Sequence, residues 1–113
     1  MHELTIAENI NKIVQKNLLD KTVRVNKINL KIGKLTAVVP DALKFCFQAV
    51  ARGTPAEGAV VEIEEVPARA NCTNCNLNFT IDEPCFLCPN CHSGKIKLTS
   101  GRELFIESLE VED

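Results

Sequence analysis

The chain has 113 residues, 13 basic and 15 acidic side chains, and six cysteines. Its length suits about one domain, and the absence of a basic excess argues against a nucleic-acid partner. No run approaches the roughly 18 consecutive apolar residues of a membrane helix, and "MHELTIAENINKIV" has neither the basic head nor the apolar block of a signal peptide. A cytoplasmic location is therefore expected, where cysteines read as metal ligands or buried thiols rather than disulfides.

Thr5 and Glu8 have the spacing of a capping box and predict a helix starting near residue 5. Ile6, Ile10, Ile13, Val14 and Leu18 form its apolar stripe, and Asp20 and Lys21 mark its exit. In "VRVNKINLKIG", Ile28, Leu30 and Ile32 alternate with Asn29 and Lys31, the pattern of a strand with one buried face. Val23 and Val25 are out of phase with it, so either a bulge falls near Asn26 or the strand begins after Val23. "VPDALKFCFQAVARG" predicts a second helix with Pro40 in its first turn and Gly53 at its end. Leu43, Phe47 and Val50 share a face there, and Cys46 beside them reads as a core thiol. "GTPAEGA" is turn chemistry. "VVEIEEV" alternates again up to Pro67, and "ELFIESLEVE" offers a last strand through Leu104, Ile106 and Leu109.

These elements predict an α+β fold: a small two-helix domain packed on a three- to four-stranded sheet, with an inserted zinc-ribbon-like module of short β-hairpins. Residues 1–67 form the first domain, completed by a C-terminal strand from 101–113, and residues 68–100 form the module. The last strand is expected to rejoin the first sheet, because alone it has no core to join. No internal repeat stands out.

"CTNC" and "CPNC" place Cys72, Cys75, Cys88 and Cys91 in two C-x2-C pairs 12 residues apart. Two such knuckles aim four thiolates at one point, as tetrahedral Zn(II) requires, and leave no open position for catalysis. Hairpins are expected around "RANC…LNFTI" and "FLCP…KIKLT". Cys85 supplies an overlapping third pair, "CFLC". Cys88 and Cys91 suit a knuckle better, since Pro89 and small polar residues turn more readily than Phe86–Leu87. A dithiol redox pair is the competing reading of any such motif. His92, directly after the last knuckle cysteine, is either an exposed turn residue or a spare ligand that replaces a protonated thiol.

His2 invites a second metal. The terminal amine of Met1, the His2 backbone nitrogen and the imidazole Nδ1 can close two fused chelate rings. That supplies three nitrogens of the square plane preferred by Ni(II) or Cu(II), with Glu3 or another segment as fourth donor. A frayed, solvated chain end is the plain alternative.

Taken together, "MHEL", "GKL…VVPDALKFCF", "GTPAEGA", the paired knuckles with "CPNCHS" and "GRELFIESLEVE" resemble the HypA/HybF family of hydrogenase nickel-incorporation accessory proteins, in the same order and over essentially the whole chain. The resemblance implies a nickel metallochaperone without enzyme activity that delivers Ni(II) to the large-subunit precursor of [NiFe]-hydrogenase. It implies nickel at His2, with Met1 and Glu3 as backbone contributors, and structural Zn(II) on Cys72, Cys75, Cys88 and Cys91. The implied partners are a HypB-type maturation GTPase and, for some relatives, urease maturation proteins, with neither nucleic acid nor membrane involved. No catalytic residue is identified: Gly33-Lys34 lacks the remaining residues of a phosphate loop, so GTP hydrolysis must come from the partner. A zinc-ribbon adaptor for nucleic acid or a protein complex is the competing function, weakened by the acidic balance of residues 68–113 and by aromatics limited to five Phe.

Overall fold

A computed structural model describes residues 2–19, 22–81 and 86–112; Met1, Asp20, Lys21, residues 82–85 and Asp113 lie outside the described set. The elements in chain order are α1 (Glu3–Lys16), β1 (Arg24–Gly33), a 3-10 turn (Lys34–Thr36), α2 (Pro40–Val50), β2 (Val60–Val66), β3 (Arg69–Cys72), β4 (Asn78–Thr80), β5 (Ile96–Ser100) and β6 (Leu104–Glu112). Two three-stranded sheets result, in the orders β2-β1-β6 and β4-β3-β5. The fold is α+β, and the last strand rejoins the first sheet as expected. No helix among the described residues is long and apolar enough to cross a membrane.

By contacts the chain divides into two units. One comprises Met1–Lys31, Ala37–Glu64 and Phe105–Asp113; the other comprises Ile32–Thr36 and Glu65–Leu104.

In the first unit, α1 packs against α2. Helix α1 begins at Glu3 rather than near residue 5, with extended His2 as N-cap and no side-chain cap bond. The expected capping box is therefore not used. The carboxylate of Glu3 instead accepts the backbone N–H of Val39, the N-cap of α2, at 3.2 Å. An acid in the first turn also suits the positive end of the helix. The helix stops at Lys16, before the expected exit at Asp20 and Lys21, which lie outside the described residues. At its end the side-chain Nδ2 and the backbone N–H of Asn17 both donate to the Ile13 carbonyl, at 2.7 and 3.2 Å.

The buried face of α1 is Ile6, Ala7, Ile10, Asn11 and Val14. Ile13, expected in the stripe, is half exposed, and Leu18 lies beyond the helix end. Burial centres closer to Ala7, whose small side chain permits close approach. On α2, Leu43 and Phe47 are fully buried, whereas Cys46 is only half-buried, which corrects the expected core thiol. Removing the Phe47 ring would cost about 3–5 kcal/mol.

Strand β1 carries the sheet. Val25 and Ile28 are both buried with two residues between them, so the alternation slips by one across Asn26–Lys27. Lys27 pairs with Glu62 and Lys31 with Glu64, so partner numbers rise together, the sense of a parallel pair. Parallel neighbours need a long crossover, which α2 supplies. Against β6 the sense reverses: Asn29 donates to Ser108, while Lys27 reaches Glu110.

The second unit has a much smaller core. Ala68, Ala70 and Ile81 are buried, with Leu35, Phe79, Ile96 and Leu98 packed partly against them. Burial of this size supplies little stability, and modules this small usually need a staple. β3 pairs antiparallel with both β4 and β5. The first expected hairpin, "RANC…LNFTI", is therefore present. The second is not: "KIKLT" pairs with β3, and Phe86 and Leu87 are not in a strand. An edge of β3 was available to β5, so the return segment completed that sheet.

The second unit also contains a close backbone crossing. A Cβ on Gly33 would lie 2.1 Å from the carbonyl carbon and oxygen of Gly101. The approach allows Gly33 N–H to donate to Glu103 O at 2.7 Å and Leu35 N–H to Gly101 O at 2.8 Å. Only glycine fits there, and Gly101 also adopts a φ of +115°.

Candidate metal centre

The two knuckles are built alike. Cys72 N–H donates to Leu77 O, and Cys88 N–H to Ser93 O. Asn76 N–H donates to Cys72 O at 2.7 Å, and His92 N–H to Cys88 O at 2.9 Å. Asn76 and His92 both adopt left-handed backbone, with φ of +64° and +60°. Every one of these pairs is related by the same shift in number, so this unit does contain a local repeat that the sequence reading missed. Its visible trace is the shared Asn before each second cysteine, "CTNC" and "CPNC".

This repeat accounts for the odd placement of His92. The residue after each second cysteine must enter left-handed backbone, a region in which Asn, Asp and His are enriched. His92 is exposed.

The sulfurs converge. Cys72 Sγ lies 3.6 Å from Cys91 Sγ, and Cys75 Sγ lies 3.6 Å from Cys88 Sγ. The ligand atoms of all four lie within 4.8 Å of one another. A tetrahedron with Zn–S near 2.3 Å has S···S edges of about 3.8 Å. The donor set and its dimensions thus fit a four-thiolate metal site. Cys72 and Cys88 are buried, Cys91 is half-buried and Cys75 is exposed. Cys85, the alternative ligand, lies outside the described residues.

Each sulfur also accepts an N–H. Cys75 N–H donates to Cys72 Sγ and Asn90 N–H to Cys88 Sγ, both at 3.4 Å. Across the cluster, Asn74 Nδ2 donates to Cys91 Sγ at 3.5 Å, and Asn90 Nδ2 to Cys75 Sγ at 3.7 Å. Sequence reasoning missed both asparagine amides.

These contacts divide the thiols. The Asn74 amide, followed by the Ser93 N–H, holds Cys91 down to about 6. The Asn90 amide, followed by the Leu77 N–H, also lowers Cys75. On Cys72 the Cys75 N–H pulls downward, but burial and the adjoining Cys91 and Cys75 sulfurs outweigh it and push the thiol up to about 11. Four crowded thiols cannot all ionise unaided, and a divalent cation at their centre removes the conflict.

The second candidate site lies at the start of α1. His2 is exposed and extended, and its carbonyl accepts the first helical bond, from Ile6 N–H at 3.2 Å. The first N–H groups of a helix have no partner in its ladder. The His2 and Glu3 amides are therefore uncommitted to the helix. The Glu3 carboxylate is held by Val39, which lowers its pKa and leaves the backbone as the freer donor of that residue. Met1 lies outside the described residues.

Residues 1–111 match the family model described as "Hydrogenase/urease nickel incorporation, metallochaperone, hypA". Among curated relatives, the hydrogenase maturation factor HypA of Desulfatibacillum aliphaticivorans is 46% identical, over 100% of this chain and 88% of its own. That of Trichormus variabilis is 44% identical, over 100% and 97%. The solution structure of the Ni metallochaperone HypA from Helicobacter pylori matches with a TM-score of 0.67 over 97% of each chain at 19% identity. A second solution structure of a HypA protein matches at 0.70, over 99% of this chain and 97% of that one, also at 19% identity. With the match spanning almost the entire chain and both knuckles folded around one point, this protein belongs to the HypA family of nickel-incorporation metallochaperones.

Proposed function

We propose that this protein carries Ni(II) on its amino terminus to the large-subunit precursor of [NiFe]-hydrogenase and retains a separate structural Zn(II) on Cys72, Cys75, Cys88 and Cys91. Nickel is cargo. Residues 1–67 with 101–113 hold it, and residues 68–100 hold the zinc. The donors are the Met1 amine, the His2 backbone nitrogen and imidazole, and the Glu3 backbone. The protein works in the cytoplasm without catalysing a reaction of its own. A HypB-type GTPase loads or strips the ion, and urease maturation proteins are a second destination.

The observation that carries this reading is the exposed His2 at the head of α1, in a chain whose family is defined by nickel incorporation. The site is built to let go. The positive end of the helix favours a deprotonated amide nitrogen but opposes a bare cation, and three fixed nitrogens leave a replaceable position in a square plane. Bound zinc supplies folding free energy to the small ribbon unit, of order 10 kcal/mol, and offers no open coordination position.

The test is metal content after equilibrium dialysis. His2→Ala, or one extra residue ahead of Met1, should abolish stoichiometric nickel binding and leave zinc in place. Cys72→Ala should do the reverse. Unchanged nickel affinity and absorption spectrum in the extended protein would refute the terminal chelate.

A further inference from the structure

Of the four clustered cysteines, Cys75 is exposed and Cys91 half-buried, while Cys72 and Cys88 are buried. The less buried pair is the pair that receives the asparagine amides. Each amide comes from the opposite knuckle: Asn74, between Cys72 and Cys75, donates to Cys91, and Asn90, between Cys88 and Cys91, donates to Cys75. The buried pair is served by backbone N–H groups of its own knuckle.

We propose that Asn74 and Asn90 form a crossed clamp, each amide capping the sulfur of the less buried cysteine in the opposite knuckle, so that the resident metal exchanges slowly and both knuckles open only together. This inference rests on the reading that the cluster holds zinc. Loss of a thiolate-bound metal begins when an outside atom, a proton or an electrophile, takes a lone pair of one sulfur. Cys75 and Cys91 are the less buried pair and so the nearer to an attacker from solvent. An N–H directed at that lone pair competes with the attacker and lowers the nucleophilicity of the sulfur. Because the donors cross, freeing one sulfur also requires breaking a contact to the facing knuckle. A protein that surrenders one metal while keeping another needs this difference in exchange rate between its two sites. Asn74 and Asn90 are positioning residues: they act on the metal through the cysteines and not as ligands.

The crossing gives the test its direction. Full-length protein is purified as wild type, Asn74→Ala, Asn74→Asp and Asn90→Ala, and zinc is counted by mass spectrometry. Each protein is then exposed briefly to N-ethylmaleimide. Alkylated cysteines are identified by peptide mapping, and released zinc is followed with a chromophoric chelator.

Among the four zinc-site cysteines, Asn74→Ala should make Cys91 the first alkylated, and Asn90→Ala should do the same for Cys75. Zinc release should quicken by about tenfold in each, the worth of one hydrogen bond to a charged acceptor. Asn74→Asp keeps the shape and the acceptor oxygen but lacks the N–H. It should match the alanine variant, which separates an amide donor from a turn former. The clamp is overturned if zinc is stoichiometric but alkylation follows the wild-type order and rate. It is equally overturned if Asn74→Ala exposes Cys75, its own neighbour, or if Asn74→Asp behaves as wild type. Wild-type protein lacking stoichiometric zinc would overturn the zinc reading and the clamp with it.

Discussion

Replacing His92 separates two roles that the sequence leaves superimposed, a spare metal ligand and a backbone corner. His92 sits at φ +60°, with its N–H on the Cys88 carbonyl at 2.9 Å. A left-handed L residue costs about 1–2 kcal/mol, and a β-branched side chain lies at the upper end. The corner belongs to the closed knuckle, the arrangement that brings the four sulfurs together. The cost therefore falls on the zinc-bound state. His92 already carries the lower end of that cost, so His92→Val should lose about 1 kcal/mol of zinc binding, or about fivefold in affinity. His92→Gly removes the imidazole but relaxes the corner, so its affinity should equal or exceed that of wild type. Competition against a chromophoric chelator of known zinc affinity measures both. A spare ligand predicts the opposite order, with glycine at least as damaging as valine. Glycine weaker than valine, or valine within twofold of wild type, would refute the backbone argument.

Zinc binding should weaken as pH falls. In the metal-free protein the Cys72 thiol stands at about 11 and the Cys91 thiol at about 6. Near neutrality, binding must expel the Cys72 proton while Cys91 is already ionised. The apparent affinity therefore rises with pH, and the dependence steepens by one further proton as pH falls through about 6; a dependence that stays flat across this range in a competition titration contradicts the assignment. Asn11 is buried in the α1 face, and its Oδ1 has no hydrogen-bond partner among the described residues. Asn11→Leu should raise stability by about 1 kcal/mol and the melting temperature by several degrees, and an unchanged or lower melting temperature would show that the amide is needed. Gly33→Ala places a methyl against the Gly101 backbone. It should cost about 3 kcal/mol or more, seen as loss of protection at the Leu35 and Gly33 amides in hydrogen exchange, whereas native protection would mean that the crossing can open without penalty.

The local patterns in the chain were sufficient for most of its elements and for the four clustered cysteines. The alternation of Ile28, Leu30 and Ile32 places β1, and the paired C-x2-C spacing names the four clustered cysteines, because both patterns are short-range consequences of backbone geometry. Tertiary contacts decided the rest. The Thr5–Glu8 pattern lost to Glu3, whose carboxylate found the Val39 N–H 36 positions away. Likewise "KIKLT" paired with β3 rather than forming its own hairpin, since an open strand edge accepts whichever segment reaches it. The Asn74 and Asn90 amides look like ordinary turn residues until the knuckles face each other. Periodicity records which face of an element is apolar, but a donor's acceptor depends on what the fold carries alongside it.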